Sequence, residues 1–426
     1  MTEALVLFSM FVMIGIGVPI ALSIMASALV GVWLLNGSLG FLNAALSVFD
    51  GATKFPLIAI PLFVLAGALM NTGGISKRLI AFVSALVGFV RGGLAMVNVG
   101  VSLFFAEISG SAVADVAATG SVLIPAMKKK GYKPRFAAAL TSSTASLAII
   151  IPPSIPMILY GALSGTSIVQ LFVAGIIPGL LGAVLLMAMC YYFAVRYDLP
   201  REEGFDLCRL WHATREASWA LILPVVILGG IFGGFVTATE GAALAVITAL
   251  FIGVFIYREI DLPKLYHALV DGVVQTSIVM LLVAASAVLG LYLTETEMPQ
   301  RLAASITDLT TNKLAVLMII NVFLLLVGMV LHGAAAIILT VPIFMPLVNQ
   351  LGIDPVQFGI LLTLNIALGQ QTPPVASVLV TACSIAKTDV WGTTRTNLPF
   401  IGVLVLVLML VTYVPAVSLT LVNLFY

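Results

Sequence analysis

Four short stretches place ion- or anion-binding residue types inside an otherwise apolar chain. They are Ser109-Gly110-Ser111, Pro152-Pro153 followed by Ser154, His332-Gly333, and Gln370-Gln371-Thr372 followed by Pro373-Pro374. A proline within a helix removes a backbone donor and frees a carbonyl. A helix that starts or stops inside a protein leaves N–H or C=O groups unpaired. Freed carbonyls suit a dehydrated sodium ion, and half-helix N-termini point partial positive charge at an anion. Covalent chemistry has no support. There is no H-E-x-x-H motif, and the three histidines, His212, His267 and His332, are far apart, so the chain does not read as an enzyme. Cys190, Cys208 and Cys383 lack the paired spacing of a disulfide framework or a metal site.

The surrounding sequence says which solvent these stretches sit in. Of the 426 residues 61% are hydrophobic and only 9% are charged, and the mean hydropathy is +1.20; a soluble domain carries about 25% charged residues. Uncharged runs cover 4–49, 55–76, 136–195, 217–239, 241–257, 272–294, 314–353, 355–386 and 396–426. At about 20 residues per crossing they hold roughly nine to eleven spans. The chain is expected to be an all-α, multi-pass protein of a lipid bilayer. Residues 4–35 read as integral membrane structure rather than a cleaved leader, because no basic segment precedes them. A net charge of +1 leaves no basic stripe for a nucleic acid.

An internal repeat then organises the polar breaks. Shifted by 221 positions, 119–153 lies without a gap over 340–374. Thr119 meets Thr340, Pro125 meets Pro346, Gly131 meets Gly352, Pro134 meets Pro355, and Pro152-Pro153 meet Pro373-Pro374. Upstream, a shift of 223 places Gly67, Arg78 and Leu79 on Gly290, Arg301 and Leu302. Apolar matches are cheap in a membrane protein, but four prolines and a glycine in one register are not. The turn of the first copy, "KKKGYKPR" (128–135), carries five basic residues, and the matching "NQLGIDP" (349–355) carries none. Lys and Arg mark cytoplasmic loops, so the first turn is assigned to the cytoplasm and the second to the opposite side, which makes the repeats inverted. Residues 1–53 hold no Lys or Arg and leave the orientation of the first segment open.

Before each turn the apolar run breaks at "EISGSAVAD" (107–115) and "GMVLHGAAA" (328–336). The limb ahead of the first break, from about Met96 to Ile108, is about 13 residues or ~20 Å long, too short for a ~30 Å hydrocarbon core. A re-entrant hairpin fits better than two crossings. The expected organisation is therefore N-terminal scaffold helices (1–53); a first repeat (54–167) with a cytoplasm-facing hairpin at about 95–127 and a broken helix at about 134–163; scaffold helices (168–272) with a cytoplasmic amphipathic arm (196–216); a second repeat (273–390) with a periplasm-facing hairpin at about 314–348 and a broken helix at about 355–385; and a C-terminal transmembrane helix (391–426).

Irregular backbone at membrane depth is tolerated where it lines a cavity or is buried in protein, so hairpin tips and broken helices mark the binding region. One sodium site is expected from Ser109, Gly110, Ser111, Thr144 and Ile151, and a second from His332, Gly333, Asn365, Gly369 and Thr372. A small anion is expected between the tips, on Ser111, Ser154, Thr372, His332 and Asp115, with no Lys or Arg at that depth. If hairpins and broken helices slide as one body, small residues should line the sliding boundary, and "GGIFGGF" (229–235) offers four glycines in seven residues.

The motifs "SGSAVADVAATGSVLIPAM", "IIPPSIPMILYG", "IPLFVLAGALMNTGG" and "GIDPVQFGILLTLNIALGQQTPPVASVL" resemble the large membrane subunit of tripartite ATP-independent periplasmic (TRAP) transporters, the DctM-like family. The resemblance runs over nearly the whole chain. It implies sodium-driven import of an organic acid by an elevator mechanism in the bacterial inner membrane. It also implies two partners, a periplasmic substrate-binding protein and a small four-helix membrane subunit on a separate chain. Two departures stand out. His332 occupies the second tip, "GMVLH", where the family usually shows an acid, and Gln370-Gln371 add polarity where the family is commonly apolar. The runner-up is a self-sufficient sodium-coupled carrier of divalent anions, which shares broken-helix architecture. A channel built on oligomer symmetry does not explain inversion within one chain.

Overall fold

The computed structural model describes residues 2–201, 204–310 and 312–426 and, within them, every side chain except those of 2–4, 106–109, 307 and 309. Among the described residues there are helices and no β-strand, and nine helical stretches are long and apolar enough to cross a membrane. The all-α, multi-pass expectation holds.

The first apolar run is two helices, α1 (Thr2–Gly15) and α2 (Ile20–Asn36). They separate at Gly17, which takes φ +91°, and at Pro19, which lacks a donor. Next come α3 (Gly40–Ala52), α4 (Ala59–Thr72) and α5 (Ile75–Val87). The first hairpin is α6 (Gly93–Ser109) followed by α7 (Ala112–Asp115), a π-helical turn over Val116–Gly120, and α8 (Ser121–Lys129). The first broken helix is α9 (Pro134–Ala145) with α10 (Ile155–Ser164). Pro134 opens α9 at a position where a missing N–H is harmless. Four long helices follow: α11 (Ile168–Arg196), α12 (Leu207–Phe232), α13 (Ala238–Phe251) and α14 (Leu262–Glu295). α15 (Met298–Leu309) leads to the second hairpin, α16 (Lys313–Val330) and α17 (Gly333–Gln350), and to the second broken helix, α18 (Pro355–Gly369) with α19 (Ser377–Ala386). The chain closes with α20 (Val390–Tyr413) and α21 (Ala416–Phe425), divided at Val414-Pro415 rather than running as one helix.

The hairpin limbs are longer than their sequence breaks imply. α6 has 17 residues and α16 and α17 have 18 each, which is about 27 Å, because helix begins at Gly93 and Lys313, ahead of the apolar positions. The base of the second hairpin is tied by Lys313 Nζ, which donates to the Gly352 carbonyl at 2.9 Å.

The helices pack as two groups. α2, α3, α4, α13 and α14 form one, with α12 against α5 and α13. In the other, α9 lies between α19 and α20, α16 packs on α18, and α10 on α17. Three expectations about this arrangement change. α11, assigned above to the scaffold, sits with the hairpin group against α6, α18, α20 and α21. Its small residues explain the placement: a Cβ on Gly175 would lie 2.3 Å from the Ile150 carbonyl oxygen, and one on Gly179 would lie 2.5 Å from Ile151 Cγ1. Only a glycine face lets the broken backbone approach so closely. In contrast, among the described residues the glycines of "GGIFGGF" meet only their own segment and no helix of the hairpin group. That segment forms the end of α12 and the following turn, where Gly234 has φ +71° and, like Gly229, has open space at its Cβ position. The stretch 196–216 is not a separate amphipathic arm either. Asp206 caps a helix by accepting from Cys208 N at 2.8 Å, and no breaker follows, so residues 207–216 are the first turns of α12.

Candidate functional site

Each hairpin tip is seated on a broken helix by a glycine. Gly110 has φ +56°, and its Cβ position lies 3.0 Å from Ile155 N and 3.3 Å from the Pro153 carbonyl oxygen, so the first tip rests on the first break. In the second pair, a Cβ on Gly369 would lie 2.4 Å from Gly328 C, and Val375 N donates to the Met329 carbonyl at 3.2 Å. Both Pro-Pro bonds, Pro152-Pro153 and Pro373-Pro374, are cis.

The two tips and two breaks converge on one cavity of about 490 Å³. Its floor carries Gly110 and Ser111 from the first tip, His332 and Gly333 from the second, Ile149, Ile155 and Pro156 from the first break, and Gln370 from the second. The opposite wall comes from the other helix group: Val64 on α4, and Gln275, Ile278 and Val279 on α14. The cavity thus lies on the boundary between the two groups. Its polar side chains include Ser111, His332, Gln275 and Gln370, and among the described residues no Lys or Arg lines it. His332 faces the cavity without a hydrogen-bond partner among the described residues.

The residues expected on the anion divide accordingly. Ser111 and His332 line the cavity, whereas Ser154, Thr372 and Asp115 do not. Ser154 is fully buried and caps α10. Its hydroxyl donates to the Ile149 carbonyl at 2.6 Å and accepts from Met157 N at 3.5 Å, so it shapes the break. Thr372 donates back to the Leu368 carbonyl at 2.9 Å. Asp115 is fully buried behind the wall that its neighbours Ala112, Val113, Ala114 and Ala117 present to the cavity.

For the first expected sodium site, the Ser109 side chain lies outside the described residues. Gly110 and Ser111 are at the tip, while Ile151 packs on Gly179 of α11, away from the cavity. Thr144 belongs to a buried polar chain. Asn98 Nδ2 donates to Thr141 Oγ1 at 2.7 Å, Thr144 Oγ1 donates to Asn98 Oδ1 at 2.9 Å, and Ser102 Oγ donates to Thr144 Oγ1 at 3.2 Å. At the second site, Asn365 Nδ2 donates to Asn321 Oδ1 at 2.7 Å and to the Leu361 carbonyl at 2.9 Å. Asn365 Oδ1 is buried and, among the described residues, accepts nothing. An orphaned buried amide oxygen beside the break fits a cation as its missing partner. Gly333 lies at the tip and Gly369 at the close crossing with Gly328.

Gln370 and Gln371, adjacent in sequence, separate in function. Gln370 lines the cavity. Gln371 turns away and joins the two broken helices: its Oε1 accepts from Ser143 Oγ at 2.7 Å and Asn397 Nδ2 at 3.2 Å, and its Nε2 donates to Ser146 Oγ. Sequence reasoning missed three residues here. Asn98 and Asn321 were available, since the shift of 223 that pairs Gly67 with Gly290 also pairs "NV" at 98–99 with "NV" at 321–322. Gln275 had a weaker signal, as the lone amide in the uncharged run 272–294.

Residues 7–417 match the family model described as "Tripartite ATP-independent periplasmic transporter, DctM component". The isethionate TRAP transporter permease protein DctMQ of Oleidesulfovibrio alaskensis is 39% identical over 96% of this chain, which spans 64% of that relative's length. The C4-dicarboxylate TRAP transporter large permease protein DctM of Pseudomonas aeruginosa is 38% identical over 89% of each chain. Among solved structures, the YdaH transporter of Alcanivorax borkumensis superposes with a TM-score of 0.64 over 92% of this chain and 95% of its own, at 17% identity, a likeness of fold.

Proposed function

This chain belongs to the DctM family of TRAP transporter large permease subunits, and on that premise we propose that it imports a small organic acid anion, coupled to sodium, by elevator-type alternating access. The observation that carries the reading is the single cavity shared by both tips and both breaks and walled on one side by α4 and α14. A site enclosed between two packed groups changes the side it faces when one group slides against the other. With no Lys or Arg in the cavity, the anion is held by hydroxyl, amide and imidazole groups and by backbone N–H groups at the starts of α7 and α17. Sodium ions near the tips, including one at Asn365 Oδ1, offset the anion's charge at membrane depth, where an unpaired charge is expensive.

On this reading the partners are a small four-helix membrane subunit and a periplasmic substrate-binding protein, and the complex lies in the bacterial inner membrane. Reconstitution tests it. The chain and small subunit in proteoliposomes, with the binding protein added outside, should accumulate anion only under an inward sodium gradient. Uptake by the chain alone, or unchanged uptake with potassium in place of sodium, would overturn it and favour a self-sufficient or uncoupled carrier.

A further inference from the structure

Asp115 is the charged side chain that the proposed anion site leaves unused. Its carboxylate is fully buried, and among the described residues neither oxygen meets a hydrogen-bond partner in good geometry. Among the described residues no Lys, Arg or His forms an ion pair with it. A buried carboxylate without a counter-charge is among the costliest groups a membrane protein can hold, so something positive belongs beside it.

The surroundings say what kind. The hydroxyls of Ser102 and Thr119 stand next to the carboxylate. Each hydroxyl also has a second partner: Ser102 Oγ donates to Thr144 Oγ1 at 3.2 Å, and Thr119 Oγ1 donates to the Asp115 carbonyl at 2.8 Å. Both hydroxyl oxygens carry lone pairs that an ion beside the carboxylate could use. A buried carboxylate with two hydroxyl oxygens beside it is an oxygen donor set that suits a small hard cation. The π-helical turn that begins at Val116 shifts the backbone ladder directly after Asp115, and such turns occur disproportionately at ligand sites. Asp115 also does not reach the cavity, where its charge would repel an anion.

We propose that Asp115, with Ser102 and Thr119, forms a third sodium site, buried inside the first hairpin and separate from the two expected at the tips. It rests on the reading that transport is sodium-coupled. In this position the ion ties α6, which carries Ser102, to the second limb of the hairpin, which carries Asp115 and Thr119. The hairpin would be complete only when loaded.

Binding of 22Na+ to the purified full-length chain in detergent tests this without knowledge of the anion. Asp115→Asn should bind one sodium ion fewer per chain than the wild type. Ser102→Ala keeps the carboxylate and guards against a fold failure in the first variant; it should keep the full number of ions while raising the half-saturating concentration of one by about fivefold, the loss of one ligand. An unchanged count in a folded Asp115→Asn, or an unchanged affinity in Ser102→Ala, would overturn the third site and leave sodium coupling intact. A wild-type chain that binds no sodium would overturn both.

Discussion

Asn365 on α18 donates a 2.7 Å hydrogen bond to Asn321 on α16, which in turn donates to Thr412 Oγ1 at 2.9 Å, while Asn365 Oδ1 accepts nothing among the described residues. The amide is held in one orientation from behind, with its acceptor presented forward. Asn365→Ala should raise the sodium concentration for half-maximal uptake by about tenfold, the effect of one lost ligand together with the orphaned Asn321. Sodium dependence matching the wild type would remove Asn365 from the ion's coordination.

The crossing of α16 and α18 admits no side chain. Gly369→Ala places a methyl group 2.4 Å from Gly328 C, so a backbone must move. The expected cost is about 1–3 kcal/mol or more, read as a lower melting temperature of the purified chain. Gly402→Ala, with open space around its Cβ position on α20, is the control and should melt with the wild type.

Two neighbouring glutamines should fail in different ways. Gln371→Leu removes the acceptor of Asn397 Nδ2 and the donor to Ser146 Oγ, while Ser143 keeps its bond to Asn397 Oδ1, at about 1–3 kcal/mol for each buried group left unpaired. It should therefore lower thermal stability before transport is even measured. Gln370→Ala faces the cavity and should raise the KM for the anion with the melting temperature little changed. If the two phenotypes exchanged, the assignment of cavity and core would be reversed.

That difference shows where the sequence stops being readable. The Pro-Pro pairs and the Ser-Gly and His-Gly tips are local chemistry, and they identified the breaks and one wall of the cavity. Which of two adjacent amides faces the ligand depends on the helical phase at Gly369, which period alone does not give once the helix ends. The same limit hid the roles of Ser154 and Asp115, which sit at membrane depth but point into protein. Gln275 was illegible for another reason: it lies on a long unbroken helix, and only the docking of α14 onto the tips brings it to the site. The division of helices into two groups was misjudged at α11 because its glycines signal close packing without naming the partner.

Asp389 gives a pH test outside the membrane segments. It caps α20 by accepting from Gly392 N at 2.6 Å, and Arg135 donates to it through Nε at 2.8 Å; both hold its carboxyl below the ordinary range. A depressed folded-state value means that its contribution is present above the unfolded pKa of about 3.9 and is lost as pH falls through the folded value. Asp389→Asn should therefore melt slightly below the wild type by the same margin at pH 8 and pH 5, and the gap should close only under more acid conditions. A gap that opens or closes between pH 5 and 8 would assign the effect to another group.

In the elevator reading proposed above, one cavity faces both sides of the membrane in turn. Ser111 lines that cavity from the first hairpin tip. A single cysteine at Ser111, in a chain lacking Cys190, Cys208 and Cys383, can be probed with a membrane-impermeant thiol reagent from either side. Alternating access requires labelling from both sides, with the balance shifted by sodium and by the transported anion. Labelling from one side alone, under every condition of sodium and anion, would contradict it.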